Sequence, residues 1–212
     1  MSNFARVERQ RLTELLRTAG PDAPTLCTGW TTHDLAAHLV LREHRMDAAA
    51  GIRLPLLTRW TARVQEGYRA RPYEELLRLF RTGPPVLSPF ALPGADEAAN
   101  TVEYFVHAED VRRGGDAWQP EPLDPGLAEG LWRRLPMLAR LEAGRKSPVR
   151  LVLRRPDGRS VTVNRRTGPT VEITGEPGEL VLFAFGRGAR AQLAVSGPED
   201  AVEALRVVLP FE

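Results

Sequence analysis

The stretch Asn100–Arg113, NTVEYFVHAEDVRR, reads as a helix with an unusual polar row. Residues four apart on an α-helix lie only about 40° apart around its axis, so Glu103 and His107 stand one above the other. Asp110 follows three residues on, along the same side, and Val102, Phe105 and Val106 flank the row. A carboxylate and an imidazole among aliphatic side chains are costly to bury unpaired. A divalent ion such as zinc would satisfy both, since Glu oxygen and His nitrogen are ordinary ligands for it. The other arrangement is a plain ion pair on a helix surface, worth about 0.2–0.5 kcal/mol.

A metal site needs a third ligand from elsewhere in the chain. The histidines are His33, His38, His44 and His107. His44, among Arg42, Glu43 and Arg45, and His33, in the first turn of its helix, read as solvent-facing. His38, beside Leu35 and Leu39, faces inward. Alone it fits a hydrogen-bonded core histidine as well as a ligand. With Glu103 and His107 it makes a set of two imidazoles and one carboxylate, and three protein ligands with one open position is the catalytic pattern for zinc. Asp34 and Asp110 each lie one turn from one of these histidines, where a carboxylate can orient a ligand imidazole. The competing roles are helix capping for Asp34 and an ion pair with Arg112 or Arg113 for Asp110. Arg42 and Arg113 are candidates for gripping an anionic substrate through bidentate contacts. Glu109 is a candidate general base, on a side of the helix that reads as solvent-facing. Cys27 has no partner cysteine and reads as a small buried hydrophobe, dispensable for any chemistry.

The elements that must position these side chains are mostly helical. Phe4, Val7, Leu12, Leu15, Leu16 and Ala19 predict a first amphipathic helix over 3–19, stopped by Gly20-Pro21. Thr31 predicts an N-cap, with Asp34 completing a capping box, for a helix running to about Ala50. Leu57, Trp60, Thr61, Val64 and Tyr68 predict a helix over 56–70, and a short one follows Pro72 and ends at Gly83. PPVLSPFALPG is a proline-rich loop. The Glu103/His107 helix then runs from about Glu97 to Arg113. Pro125 opens a leucine-striped helix, kinked or restarted at Pro136 and closed at Gly144.

Near Pro148 the texture changes. LVLRRPDGRSVTV is a hairpin pattern around Pro-Asp-Gly, TVEIT and QLAVSG read as strands, and ELVLFAFGRG and EDAVEALRVVL as helices. The expected organisation is therefore a helical bundle over 1–145 and a small α+β domain over 148–212.

Composition excludes several classes. With a formal net charge of +2 and no block of like charges, nucleic-acid binding is not expected. The Arg bias, with Lys146 the only lysine, suggests a GC-rich genome. No apolar run is long enough to span a membrane. The N-terminus lacks a signal-peptide core, so a cytoplasmic protein is expected. A single cysteine excludes an intrachain disulfide and a Cys-based zinc finger.

Gly29-Trp-Thr-Thr-His-Asp-Leu-Ala-Ala-His38 resembles the GWT-x2-DL-x2-H signature of the mycothiol-dependent maleylpyruvate isomerase N-terminal domain, one of the DinB-like metal-dependent bundles. Glu103-Tyr-Phe-Val-His107, followed by Glu109-Asp110-Val111, resembles that family's second motif, E-x3-H with a trailing D-[LV]. More narrowly, the chain is similar to an actinobacterial family of metal-binding proteins within that superfamily. The resemblance implies a DinB-like up-down four-helix bundle holding one divalent ion, usually zinc, with His38, Glu103 and His107 at the ligand positions. It also extends to the C-terminal α+β region, which is distantly similar to sterol-carrier-like folds. Ala108 stands where members often carry a second histidine.

Three functions follow as expectations. In the first, the ion holds a low-molecular-weight thiol such as mycothiol as its thiolate, which attacks a small electrophilic substrate for isomerisation or S-transfer. In the second, the ion activates water for hydrolysis. In the third, the protein is a non-catalytic metal-dependent binding or regulatory module. The partners are the thiol and a small substrate; the sequence carries nothing on oligomeric state.

Overall fold

In a computed structural model the chain is described over residues 3–49, 58–85 and 95–212. It is mainly helical with one small sheet. Leu57 and most of the proline-rich loop after Pro85 lie outside the described residues.

The chain divides into two compact units, Met1–Trp118 and Gln119–Glu212. The first contains α1 (Phe4–Ala19), α2 (Thr32–His44), the single turn α3 (Met46–Ala49), α4 (Thr58–Arg69), α5 (Tyr73–Thr82) and α6 (Ala95–Arg112). Helix α2 starts as its sequence predicts. The Asp34 backbone N–H donates to the Thr31 hydroxyl, and the Asp34 carboxylate accepts from the Thr31 backbone N–H at 2.9 Å. It ends earlier than Ala50, because Arg45 leaves the helical conformation (φ −131°, ψ 73°) before α3 begins.

Helices α1 and α6 pack together, and α2 packs on α4 and α5. The core joins Leu12 and Leu16 of α1, Leu35 and Leu39 of α2, Leu76 and Phe80 of α5, and Tyr104 and Ala108 of α6. A polar contact is buried with it. The Arg9 guanidinium donates to Glu43 Oε1 at 3.0 Å and to the Tyr104 hydroxyl at 2.8 Å, and that hydroxyl donates to the same Glu43 oxygen. Three helices thus meet at charges that cost several kcal/mol to strand in the interior. The contact fixes α2 against α6 one residue from Glu103.

The second unit contains α7 (Pro125–Glu142), β1 (Arg150–Arg154), β2 (Ser160–Thr162), β3 (Thr170–Thr174), α8 (Pro177–Ala184), β4 (Ala194–Ser196) and α9 (Glu199–Val208). The strand order is β2-β1-β3-β4. β1 pairs antiparallel with β2, with Arg154 opposite Ser160, and parallel with β3, with Leu151 opposite Val171; β4 runs antiparallel to β3. Leu151, Leu153, Val171 and Ile173 are buried while their neighbours along the strands are not, the alternation of a half-covered sheet. Gly158, at φ +90°, takes the left-handed position of the hairpin turn.

The sequence reading places α7 in the first domain and the boundary at 145–148; the contacts place both differently. Helix α7 packs on α8. Its Glu129 carboxylate pairs with Arg155 and Arg159 of the hairpin, and both guanidiniums lie against the Trp132 ring. Pro136 sits inside a continuous helix rather than restarting it. Among the described residues, no helix is long and apolar enough to cross a membrane.

Candidate metal centre

His38 projects from α2 and Glu103 and His107 from α6. One donor atom from each lies within 4.8 Å of the others. Both histidines are buried, their ring centroids 5.6 Å apart at 74°. His107 Nε2 stands 3.3 Å from Glu103 Oε1, as the one-turn spacing requires.

The surroundings give these groups different charge states. Burial pushes His38 down to about 4, and the neighbouring His107 and Arg42 push the same way, so the ring is neutral at physiological pH. Glu103 is pulled the other way. Burial would raise its pKa, but His107 and Arg42 hold it well below the usual carboxylate range. Burial likewise would lower His107, but the hydrogen bonds to Asp110, Cys27 and Glu103 raise it well above the ordinary imidazole value.

Around the cluster the structure places the other expected residues unevenly. Asp110, fully buried, accepts from His107 Nδ1 at 2.9 Å. Arg42 Nε lies 3.3 Å from Glu103 Oε1, and the same side chain donates to Asn100. Asp34 does not orient His38: its carboxylate caps α2 and pairs with Arg69. Arg113 is not presented to a substrate. Only 2% exposed, it pairs with Glu109 and packs on the Trp118 ring at 4.5 Å. Glu109, read as solvent-facing, is buried among Arg11, Arg112 and Arg113. Burial would raise its pKa, but those guanidiniums hold it at about 2, so it is no general base. His44 is half-buried rather than solvated, and burial lowers its pKa. His33 is also half-buried, against Tyr73 and the Arg71 carbonyl.

Several neighbours escape the sequence reading. The Trp30 ring packs on His38 at 5.1 Å, and Gln65 of α4 hydrogen-bonds the His38 side chain. Asn100 stands three residues before Glu103, a spacing that could have revealed it. Gln65 carries no sequence signal, because nothing local tells which face of α4 meets α2. Cys27 is far from any base in sequence but not in space. Its thiol donates to Asp110 Oδ2 at 3.2 Å and lies 4.0 Å from His107 Nδ1.

A helical unit with a buried cluster of two histidines and a carboxylate, one imidazole anchored by a further carboxylate, defines a class of candidate metal-centre proteins. The chain belongs to the family described as mycothiol maleylpyruvate isomerase N-terminal domain, which matches residues 5–135, through the helical unit and into α7. Two solved structures share its fold: the crystal structure of the mycothiol-dependent maleylpyruvate isomerase and that of a histidine-to-alanine mutant of it. Each is 15% identical with a TM-score of 0.61, the likeness covering 91% of this chain and 90% of that chain. At that identity the likeness speaks for the fold alone. None of the curated proteins matches the chain.

Proposed function

We propose that His38, Glu103 and His107 hold one divalent ion, zinc first among candidates, and that the protein is a thiol-dependent isomerase or S-transferase. Its thiol would be mycothiol and its substrate a small electrophile. On this reading the helical unit corresponds to the DinB-like four-helix, up-down bundle. The observation that carries the proposal is the meeting of donors from α2 and α6 within 4.8 Å, in a chain of this family.

The residues fit such an ion. His38 is already in the neutral form a ligand requires and Glu103 is anionic, while His107, raised by Asp110, Cys27 and Glu103, gives up its Nε2 proton when an ion binds. Asp110 holds the far nitrogen of His107, the carboxylate–histidine support usual behind a metal-bound imidazole. A bound divalent ion supplies Lewis acidity and keeps a coordinated thiol in its thiolate form at neutral pH. The chain's own side chains do the rest. Arg42 steadies the Glu103 carboxylate, and Trp30 and Gln65 fix the His38 ring. The chemistry requires no protein cysteine as nucleophile. Hydrolysis is the weaker alternative, because Glu109 is held among three arginines.

Elemental analysis of the purified protein, with maleylpyruvate isomerisation assayed with and without mycothiol, tests the reading. One metal per chain and a rate that appears only with the thiol are expected. Glu103→Ala should lose the metal, while His44→Ala should keep it. Full metal content in Glu103→Ala refutes the ligand set. A metal-loaded protein inert to thiol and electrophile refutes the enzyme and leaves the binding module.

A further inference from the structure

His107 has two ring nitrogens, and each faces a set of donor atoms. Nε2 faces Glu103, in the set with His38. Nδ1 faces Asp110 Oδ2 at 2.9 Å and Cys27 Sγ at 4.0 Å, and the sulfur stands 3.2 Å from that same oxygen. We propose that Cys27, His107 Nδ1 and Asp110 form a second cation site, one for thiophilic d10 ions such as Cd2+, that shares only the His107 ring with the His38 set.

The geometry is close to what such an ion needs. For zinc, with bonds of about 2.3 Å to sulfur and 2.0–2.2 Å to nitrogen and oxygen, tetrahedral ligand atoms lie roughly 3.2–3.7 Å apart, and the larger Cd2+ spreads them further. The observed separations of 2.9, 3.2 and 4.0 Å straddle that range. The donors also select for softness. A thiolate favours thiophilic ions, whereas the His38 set offers only nitrogen and carboxylate oxygen. Thiolate and carboxylate together balance a dication, and binding releases the thiol proton.

Cys27 is held in place independently of its thiol. The Leu26 backbone N–H donates to the Asp110 carbonyl at 3.0 Å, and the Cys27 N–H donates to the Thr25 hydroxyl at 3.2 Å. The loop lies so close to α6 that a Cβ on Gly114 would come within 2.2 Å of the Pro24 carbonyl oxygen. Replacing the S–H···O contact by a metal bond therefore leaves the loop backbone where it is, and only the three side chains shift. Cys27 is half-buried, whereas His107 and Asp110 are buried. Ligation at Nδ1 also displaces the proton that Nδ1 shares with Asp110, and the N–H kept at Nε2 faces Glu103. A soft ion on this side thus withdraws His107 from the other set.

The chain has a single cysteine, so any thiolate-to-metal charge transfer reports Cys27 alone. The test is titration of the metal-stripped full chain with Cd2+, followed by ultraviolet charge-transfer absorption, with circular dichroism to confirm that each variant is folded. The wild type should develop the band and saturate near one equivalent. Cys27→Ser should show none, Asp110→Asn should need at least tenfold more Cd2+, and His38→Ala should keep the band. No band in the wild type overturns the proposal, as does an unchanged midpoint in Asp110→Asn. Loss of the band in folded His38→Ala would overturn the separateness of the site, making the sulfur part of the first set. These outcomes are read without any thiol-dependent rate, so they stand apart from the isomerase reading.

Discussion

His107 answers to carboxylates at both ends, Asp110 at Nδ1 and Glu103 at Nε2. Spacing revealed this, because residues three and four apart share a helix face. The same spacing misled at Asp34, also four residues from a histidine. Asp34 is the third residue of α2, where an unfilled backbone N–H of the cap competes for the carboxylate and wins. A one-turn carboxylate supports a histidine only where the helix end makes no prior claim on it. Asp110 lies in the last turn of α6, where the free backbone groups are carbonyls and make no claim on a carboxylate. Asp110→Asn should lower metal affinity about 10–100-fold, because the amide cannot hold the imidazole in the same state. Competition with a metal chelator measures this, and an affinity within twofold of wild type would remove Asp110 from the supporting role.

Helix α6 explains why some site residues were legible and Glu109 was not. From Tyr104 to Val111 every residue is buried, so no polar face marks the solvent side. Glu109 therefore looked exposed by default, whereas it joins α6 to α1 through Arg11. Its pKa of about 2 lies below the ordinary 4.5, so its contribution to stability is complete above 4.5 and is lost as pH falls towards 2. Glu109→Gln should cost about 3–5 kcal/mol at neutral pH, the scale for breaking a buried ion pair. It should also flatten the acid limb of a pH series of thermal melts, and an unchanged melt at pH 7 would contradict this account. Gly114 makes the second test of packing. It is needed for close approach rather than for an unusual φ, since a Cβ would fall 2.2 Å from the Pro24 carbonyl oxygen and 2.9 Å from Thr25 Cα. Both neighbours are backbone and cannot step aside. Gly114→Ala should push the 24–27 loop off α6, at about 1–3 kcal/mol of overpacking, and make the Cys27 thiol react faster with a thiol reagent. An unchanged labelling rate would show that the loop is not held there.

At the scale of the chain, the sequence separated textures while the structure separates contacts. Residues 125–142 are helical in pattern and so read as part of the helical region. Yet Glu129 and Trp132 are the groups that hold Arg155 and Arg159, and a local hydrophobic stripe cannot tell which partner it will meet. The hairpin and the capping box were legible because both are fixed by neighbours within a few residues. The division at 118/119 was not, because it depends on pairings more than 20 residues apart. All three candidate ligands belong to the first unit, on α2 and α6. A bound ion stabilises whatever structure must be folded to bind it, by an amount set by its concentration over Kd. Hydrogen exchange of the full chain with and without zinc should therefore show slowed amides in α2, in α6 and in the loop hydrogen-bonded to Asp110. Amides of β1 to β4 should exchange at the same rate in both states. Protection that appears in the sheet as strongly as in α2 and α6 would mean that the helical unit does not carry the site alone.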